Sequence, residues 1–441
     1  MNDPQVKQKS CEFIKPLNPT SPKHKHFVLS FIDQNFPPVH LPLLLIYPSW
    51  DSPIRSSDDI ISTLKTSLSE TLTIFYPLAG RCIGQTTVSC NDQGVPFIET
   101  VVNCRLDDVL NSPTKIDVLS KLLPPMDLFS FGQLPISEVL PLAFQINIFA
   151  CGGVVIGCYM LHKLLDAASI STFLNYWAGH AKNRDLDLLR PNFDAAVTAF
   201  PPPSSNVDDT TIENSGGGNP GIAMLWNRLG SIKVVVKSFI FNNATIKKLK
   251  VDGSSKVVPT PTSFEAVVGF VWQHVMPAGP SVVSFSANIR NRTIPPLPRE
   301  SMGNLLIGLH PRVDKRGELT DLVKEIHNEV LKLEQKVESL KGENGVDAFL
   351  ACRDSGCPAG TTLYNLSSWC NLGMDRVDFG FGKPSKIIPY GMVNPLLRNS
   401  IMLVDYTDCN GDGIEVWLFL EEKEMEILES NPQFLAFASP T

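Results

Sequence analysis

Residues 139–166 read Val139-Leu140-Pro141-Leu142-Ala143-Phe144-Gln145-Ile146-Asn147-Ile148-Phe149-Ala150-Cys151-Gly152-Gly153-Val154-Val155-Ile156-Gly157-Cys158-Tyr159-Met160-Leu161-His162-Lys163-Leu164-Leu165-Asp166. The 23 residues from Val139 to Leu161 carry no charge, and a membrane helix needs only about 20 apolar residues. Pro141, Gln145, Asn147 and Gly152-Gly153 oppose a span, and Leu142, Phe144, Ile146 and Ile148 recur at every second position, which is the period of a strand. We therefore read two strands, 141–150 and 154–161, joined by a tight turn at Cys151-Gly152-Gly153, where glycine supplies positive φ. The second strand is apolar on both faces and belongs at the centre of a sheet.

His162 follows that strand at once, and Asp166 precedes a helix marked by Ile170, Phe173, Leu174, Trp177 and Ala178. A histidine at the carboxyl end of a central strand, in a short loop between two rigid elements, is a candidate general base facing a crevice. Asp166 would anchor the loop or orient the ring. On spacing alone, a loop histidine beside an Asp166 helix cap is the commoner meaning.

Outward from this stretch, 441 residues exceed one ordinary domain of about 100–200 residues, so two large domains are expected. A net charge of −7 without any basic block favours no nucleic-acid partner. The first twelve residues lack the apolar core and cleavage site of a secretory signal, and we expect a cytosolic protein. Ten scattered cysteines contain no CxxC pair, which reads as free buried thiols, not a zinc ribbon. His24 and His26 have no acidic or thiol neighbour, so no metal is expected.

The strongest run of chain breakers lies at 200–221. It suggests a linker at 201–221 between domains 1–200 and 222–441. Ser56 or Ser57 caps a helix carrying Ile60, Ile61, Leu64, Leu68 and Leu72 on one face. Thr262-Ser263-Phe264-Glu265 has capping-box spacing, and Leu319 to Leu340 reads as a single long amphipathic helix.

Several strings mimic known sites and fail on context. Asp378-Phe379-Gly380 lacks the other kinase elements, and Gly216 to Gly221 matches GxGxxG without a preceding strand. Asp408 to Gly413 resembles half of a calcium loop, yet Phe419 stands where a bidentate glutamate is needed and an alternating strand follows. That segment is a hairpin turn. GxSxG is absent, so no serine nucleophile is marked. In Val377 to Pro384, Asp378 is placed to accept backbone amides while Gly380 and Gly382 allow close packing.

Taken in order, the segments resemble the plant BAHD acyl-CoA-dependent acyltransferases, in particular their alkaloid-acetylating branch. Ser30-Phe31-Ile32-Asp33-Gln34 is similar to the family's LSxLDQ, Phe75 to Arg81 to FYPLAGR, and Cys90 to Phe97 to CNDxGVPF. His162 to Asp166 is similar to HxxxD, and Asn288 to Arg292 with Pro295 to Pro298 to NLRxRxxPPLP. Met302-Gly303-Asn304 matches MGN, Ser367 to Cys370 SSWC, and Asp378 to Pro384 DFGWGKP. The matches cover nearly the whole chain.

The resemblance implies an α/β fold of two similar domains, each a mixed sheet with helices, of the chloramphenicol-acetyltransferase type. A channel would run between them, with acyl-CoA entering from one end and the acceptor from the other. It implies His162 as general base without an acyl-enzyme, Asp166 paired with Arg290 to set the loop, and a structural role for Asp378, Gly380 and Gly382. Thr262, Ser263, Ser368 and Trp369 are the implied CoA contacts; Phe36, Phe381 and Thr407 are candidates for the acceptor pocket.

Phe381 stands where the family carries tryptophan, removing an indole N–H, and Ala167 and Leu161 replace a usual glycine and serine. The expected activity is acetyl transfer from acetyl-CoA to a hydroxyl of a plant alkaloid or terpenoid, by a monomer without a permanent cofactor. A non-catalytic member that binds a metabolite or partner, or an N-acyltransferase on an amine, is the alternative.

Overall fold

The computed structural model describes residues 4–48, 56–112, 115–125, 135–182, 190–203, 232–354, 357–389, 397–408 and 411–441. Residues 204–221 of the expected linker, with the GxGxxG string inside them, lie outside the described residues.

The uncharged run forms the expected hairpin. Leu142–Phe149 pairs antiparallel with Val154–Leu161 from Leu142↔Met160 to Ile148↔Val154, and Gly152 turns at φ 86°. Val154–Leu161 is buried along its whole length. The polar residues in the run are satisfied, as buried polar groups must be. Asn147 donates to the carbonyls of Leu122 and Val155 at 2.8 and 3.0 Å and accepts from Thr100 at 2.7 Å.

The chain forms two compact units. The first takes 1–223, 298–305 and 372–392; the second takes 224–297, 306–371 and 393–441. The expected halves are therefore interleaved. The return of 372–392 to the first unit has a backbone cause, because Lys386–Ile388 pairs with Leu44, Leu45 and Ile46.

The sheet of the first unit runs in the order Val6–Ile14, Val95–Val102, Leu142–Phe149, Val154–Leu161, His40–Tyr47, Lys386–Ile388. Only the pair Val95–Val102 and Leu142–Phe149 is parallel. The helices Ser57–Ile74 and Ala167–Ala181 are tied by the indole N–H of Trp177, which donates to the Leu64 carbonyl and the Ser67 hydroxyl, each at 3.1 Å. Ser56 caps the first of them through a capping box with Asp59.

The second unit holds an eight-stranded sheet in which Ser281–Asn288, Thr362–Ser368 and Ser400–Asp408 run parallel. Gly411–Glu421 and Val234–Asn242 continue it antiparallel. Asp408 faces Gly411 across the hairpin expected in place of a calcium loop, whose residues 409–410 lie outside the described residues.

Two expectations need correction. The long helix expected over 319–340 is two helices, Leu319–Leu331 and Leu333–Ser339, stepped at Lys332. Leu331 is left exposed while Leu333 and Val337 turn inward. Glu329 brackets the step by pairing with Lys332 and Lys336 at 2.8 and 2.7 Å. The thiols are also not uniformly buried: Cys82, Cys90 and Cys158 are, whereas Cys11 and Cys357 are exposed.

Among the described residues no helix is long and apolar enough to cross a membrane.

Candidate functional site around His162

The strand Val154–Leu161 delivers His162 to the edge where His40 begins the neighbouring strand, with His40 opposite Leu161. The His162 N–H then donates to the Val39 carbonyl at 2.8 Å, which ends the ladder and holds the loop backbone. Lys163 is fully buried and donates to the Gln34 carbonyl at 3.0 Å.

Ser30 caps the short helix Phe31–Gln34. Its hydroxyl accepts the Asp33 N–H at 3.1 Å and donates to Asp33 Oδ2 at 2.6 Å. Asp33 Oδ1 is thereby presented to Asn304, accepting its backbone N–H at 2.6 Å and its side-chain Nδ2–H at 3.0 Å. The same Nδ2 donates to the His162 carbonyl at 2.7 Å.

Both amide protons of Asn304 thus have acceptors, and its Oδ1 is the atom that meets His162 Nδ1 at 3.1 Å. A carbonyl oxygen only accepts, so Nδ1 donates and Nε2 carries the free lone pair. Burial holds the half-buried imidazole below its ordinary pKa, outweighing the opposing influence of its own backbone, Asp166, Asn304 and the Leu165 backbone. His162 is therefore neutral at pH 7, with its proton on Nδ1.

Asp166 is buried and caps the helix Ala167–Ala181, accepting the Ser169 N–H at 2.8 Å. Its second oxygen accepts the Leu305 N–H at 3.2 Å. Ser169 adds a two-way link to the same segment, donating to the Gly303 carbonyl at 3.0 Å and accepting its N–H at 3.2 Å. Asp166 thus ties the histidine loop to residues 298–305, which bring Asn304 to the ring. Phe36 lies against the imidazole, ring centres 4.8 Å apart and planes 35° from parallel.

Phe381, expected in the acceptor pocket, lies away from the imidazole. It packs edge-on against Tyr47 at 4.9 Å, and Tyr47 ends the strand that His40 begins, about 23 Å away at ~3.3 Å per residue. Asp378 holds this distant loop, accepting the N–H groups of Gly380 and Gly382 at 2.9 and 3.0 Å and pairing with Lys182. Although burial alone would raise it, those partners keep the carboxyl below its usual range.

The remaining expected residues lie in the second unit. Arg290 is buried in a short turn, its N–H on Asn288 Oδ1 at 3.0 Å. The Thr262 hydroxyl donates to Glu265 at 2.8 Å in the expected capping box. Ser263 is the first residue of the helix Ser263–Val275, and Ser368 closes the strand Thr362–Ser368. The Trp369 indole N–H donates to Ser367 at 3.0 Å. Thr407 is exposed and bonds Asp412 across the hairpin at 3.0 Å.

The sequence reading did not assign Asp33 or Asn304 to the site. Ser30 and Asp33 had a signal in their helix-cap spacing. Asn304 had one only in the Met302-Gly303-Asn304 string, which does not say that it meets His162, 142 residues away, or Asp33, 271 away.

A profile described as the transferase family matches residues 4–435. Vinorine synthase of Rauvolfia serpentina is 34% identical, with 96% of each chain covered. Its crystal structure superimposes with a TM-score of 0.80 over 99% of both chains at 30% identity. Stemmadenine O-acetyltransferase of Catharanthus roseus and salutaridinol 7-O-acetyltransferase of Papaver somniferum are each 30% identical, covering 97% and 95% of both chains respectively. With relatives of this kind along its full length and the same fold, the chain belongs to the transferase family of BAHD acyltransferases and is an acyltransferase.

Proposed function

We propose that the protein transfers an acetyl group from acetyl-CoA to a hydroxyl of a plant alkaloid or terpenoid, with His162 as general base. The observation that carries this reading is the Asn304 Oδ1 contact on His162 Nδ1, which leaves Nε2 as a lone pair on a neutral ring. The nature of the relatives supports the acyl group and the acceptor class, since two of them are named as O-acetyltransferases of plant compounds.

The acceptor oxygen attacks the thioester carbonyl carbon while Nε2 takes the hydroxyl proton. A free alcohol is far less acidic than imidazolium, so attack and proton transfer are concerted, with assistance of about 10²–10⁴-fold. The tetrahedral oxyanion then collapses, the C–S bond breaks, and the imidazolium proton passes to the CoA sulfur. Ester and free CoA thiol leave together, and no acyl-enzyme or permanent cofactor is required. Asp166 serves this sequence by holding the loop.

The test is release of CoA thiol from acetyl-CoA with a panel of alkaloid and terpenoid alcohols, for wild type and His162→Ala of equal melting temperature. Turnover that disappears in His162→Ala supports the reading; full turnover in that variant refutes it. Thermal stabilisation by ligands without thiol release would favour a binding protein instead.

A further inference from the structure

The mechanism gives no task to Asp33, a buried carboxyl standing one residue beyond the imidazole's own partner. We infer that Asp33 is a positioning residue which, acting through Asn304, holds His162 in the Nδ1–H tautomer and so keeps Nε2 available as the base. The inference rests on the base role of His162 proposed above.

The argument turns on which way the Asn304 amide points. As it stands, Nδ2 donates to Asp33 Oδ1 and to the His162 carbonyl, and Oδ1 faces His162 Nδ1. Rotated by half a turn, Asn304 Oδ1 would face two acceptors, and Nδ2 would offer its protons to Nδ1. The imidazole proton would then move to Nε2, the atom that must be bare. A carbonyl pressed on two acceptors away from water is strongly disfavoured, and Asp33 supplies one of the two.

The surroundings hold Asp33 in that role. Ser30 occupies Oδ2 at 2.6 Å, which leaves Oδ1 for Asn304. Gly303 lies at φ +109°, and a Cβ there would stand 3.0 and 3.2 Å from the two carboxyl oxygens. The sequence Met302-Gly303-Asn304 thus makes room for the carboxyl with one residue and reads it with the next. The charged groups acting on Asp33 are Asp166 and the Lys163 ammonium. Oδ1 accepts from Asn304 whether or not the carboxyl is ionised, so the relay needs the oxygen and not the charge.

The experiment compares Asp33→Ala, Asp33→Asn and His162→Ala in the full chain. ¹⁵N NMR of histidine-labelled protein reads the tautomer, with the His162 signal assigned by its loss in His162→Ala, and steady-state kinetics run in parallel. Asp33→Ala is expected to shift His162 toward Nε2–H and to lower kcat about tenfold or more with little change in KM. Asp33→Asn, which keeps an acceptor oxygen, is expected to retain the Nδ1–H signal and kcat within about threefold. An unchanged tautomer and kcat in folded Asp33→Ala would overturn the inference. Should that variant not fold, loss of the Nδ1–H signal in Asp33→Asn would overturn it instead. Activity persisting in His162→Ala would remove the base role itself, an outcome distinct from either.

Discussion

The carboxylate of Asp166 accepts the backbone N–H of Leu305 at 3.2 Å, from a residue 139 positions further along the chain. One side chain therefore ends the histidine loop, starts the helix Ala167–Ala181, and pins the segment that carries Asn304. The aspartate of an HxxxD string acts here through the backbone on either side of the ring.

Asp166→Ala removes the helix cap and leaves two buried N–H groups without this acceptor. We expect a loss of about 2–4 kcal/mol, read by urea unfolding, and a fall in kcat as Asn304 loses its anchor. Asp166→Asn keeps one acceptor oxygen and should lose less on both counts; equal losses would contradict the anchoring role.

Lys182 and Asp378 allow the charge and the amide contacts of the distant loop to be separated. Lys182→Ala removes a partly exposed ion pair, expected to cost about 1 kcal/mol or less. Asp378→Ala also deprives the exposed Gly380 and Gly382 N–H groups of their acceptor, and should cost about 1–2 kcal/mol. Thermal melts of the two variants check the order, which would be reversed or flat if the ion pair held the loop.

Burial lowers the pKa of His162, so the imidazole is unprotonated at pH 7 and stays so somewhat below the usual histidine value of about 6.5. The profile of kcat/KM against pH should be level at neutral pH, with its acid limb below that value. A limb above it would mean that the titrating group is not this buried imidazole.

Asp33 gives the opposite sign in stability. Burial outweighs its hydrogen bonds to Ser30 and Asn304 and raises its pKa from 3.8 to about 6. The folded protein then holds this proton more tightly than the unfolded chain. The associated stability is complete below the unfolded value and is lost as pH rises through about 6, amounting to about 3 kcal/mol. Asp33→Asn has no such proton, so its stability relative to wild type should climb by up to that amount between pH 4 and 7. Urea titrations at several pH values measure it, and parallel curves would show that Asp33 keeps an ordinary pKa in the fold.

By itself the sequence determined the hairpin 141–161, the helix starts at Ser56 or Ser57, Asp166 and Thr262, the mixed α/β class and the family. Each is written locally, in a two-residue alternation, a cap three residues from its partner, or a short ordered motif. His162 was legible for the same reason, as the residue that ends a buried strand. Only the tertiary structure decided the step at Lys332, the return of 298–305 and 372–392 to the first unit, and the convergence of Ser30, Asp33, Asn304 and His162. The group that meets His162 Nδ1 is an amide 142 residues away. Periodicity and spacing describe what a chain does within a few residues, whereas hydrogen-bond partners across hundreds of residues exist only once the backbone has brought them together.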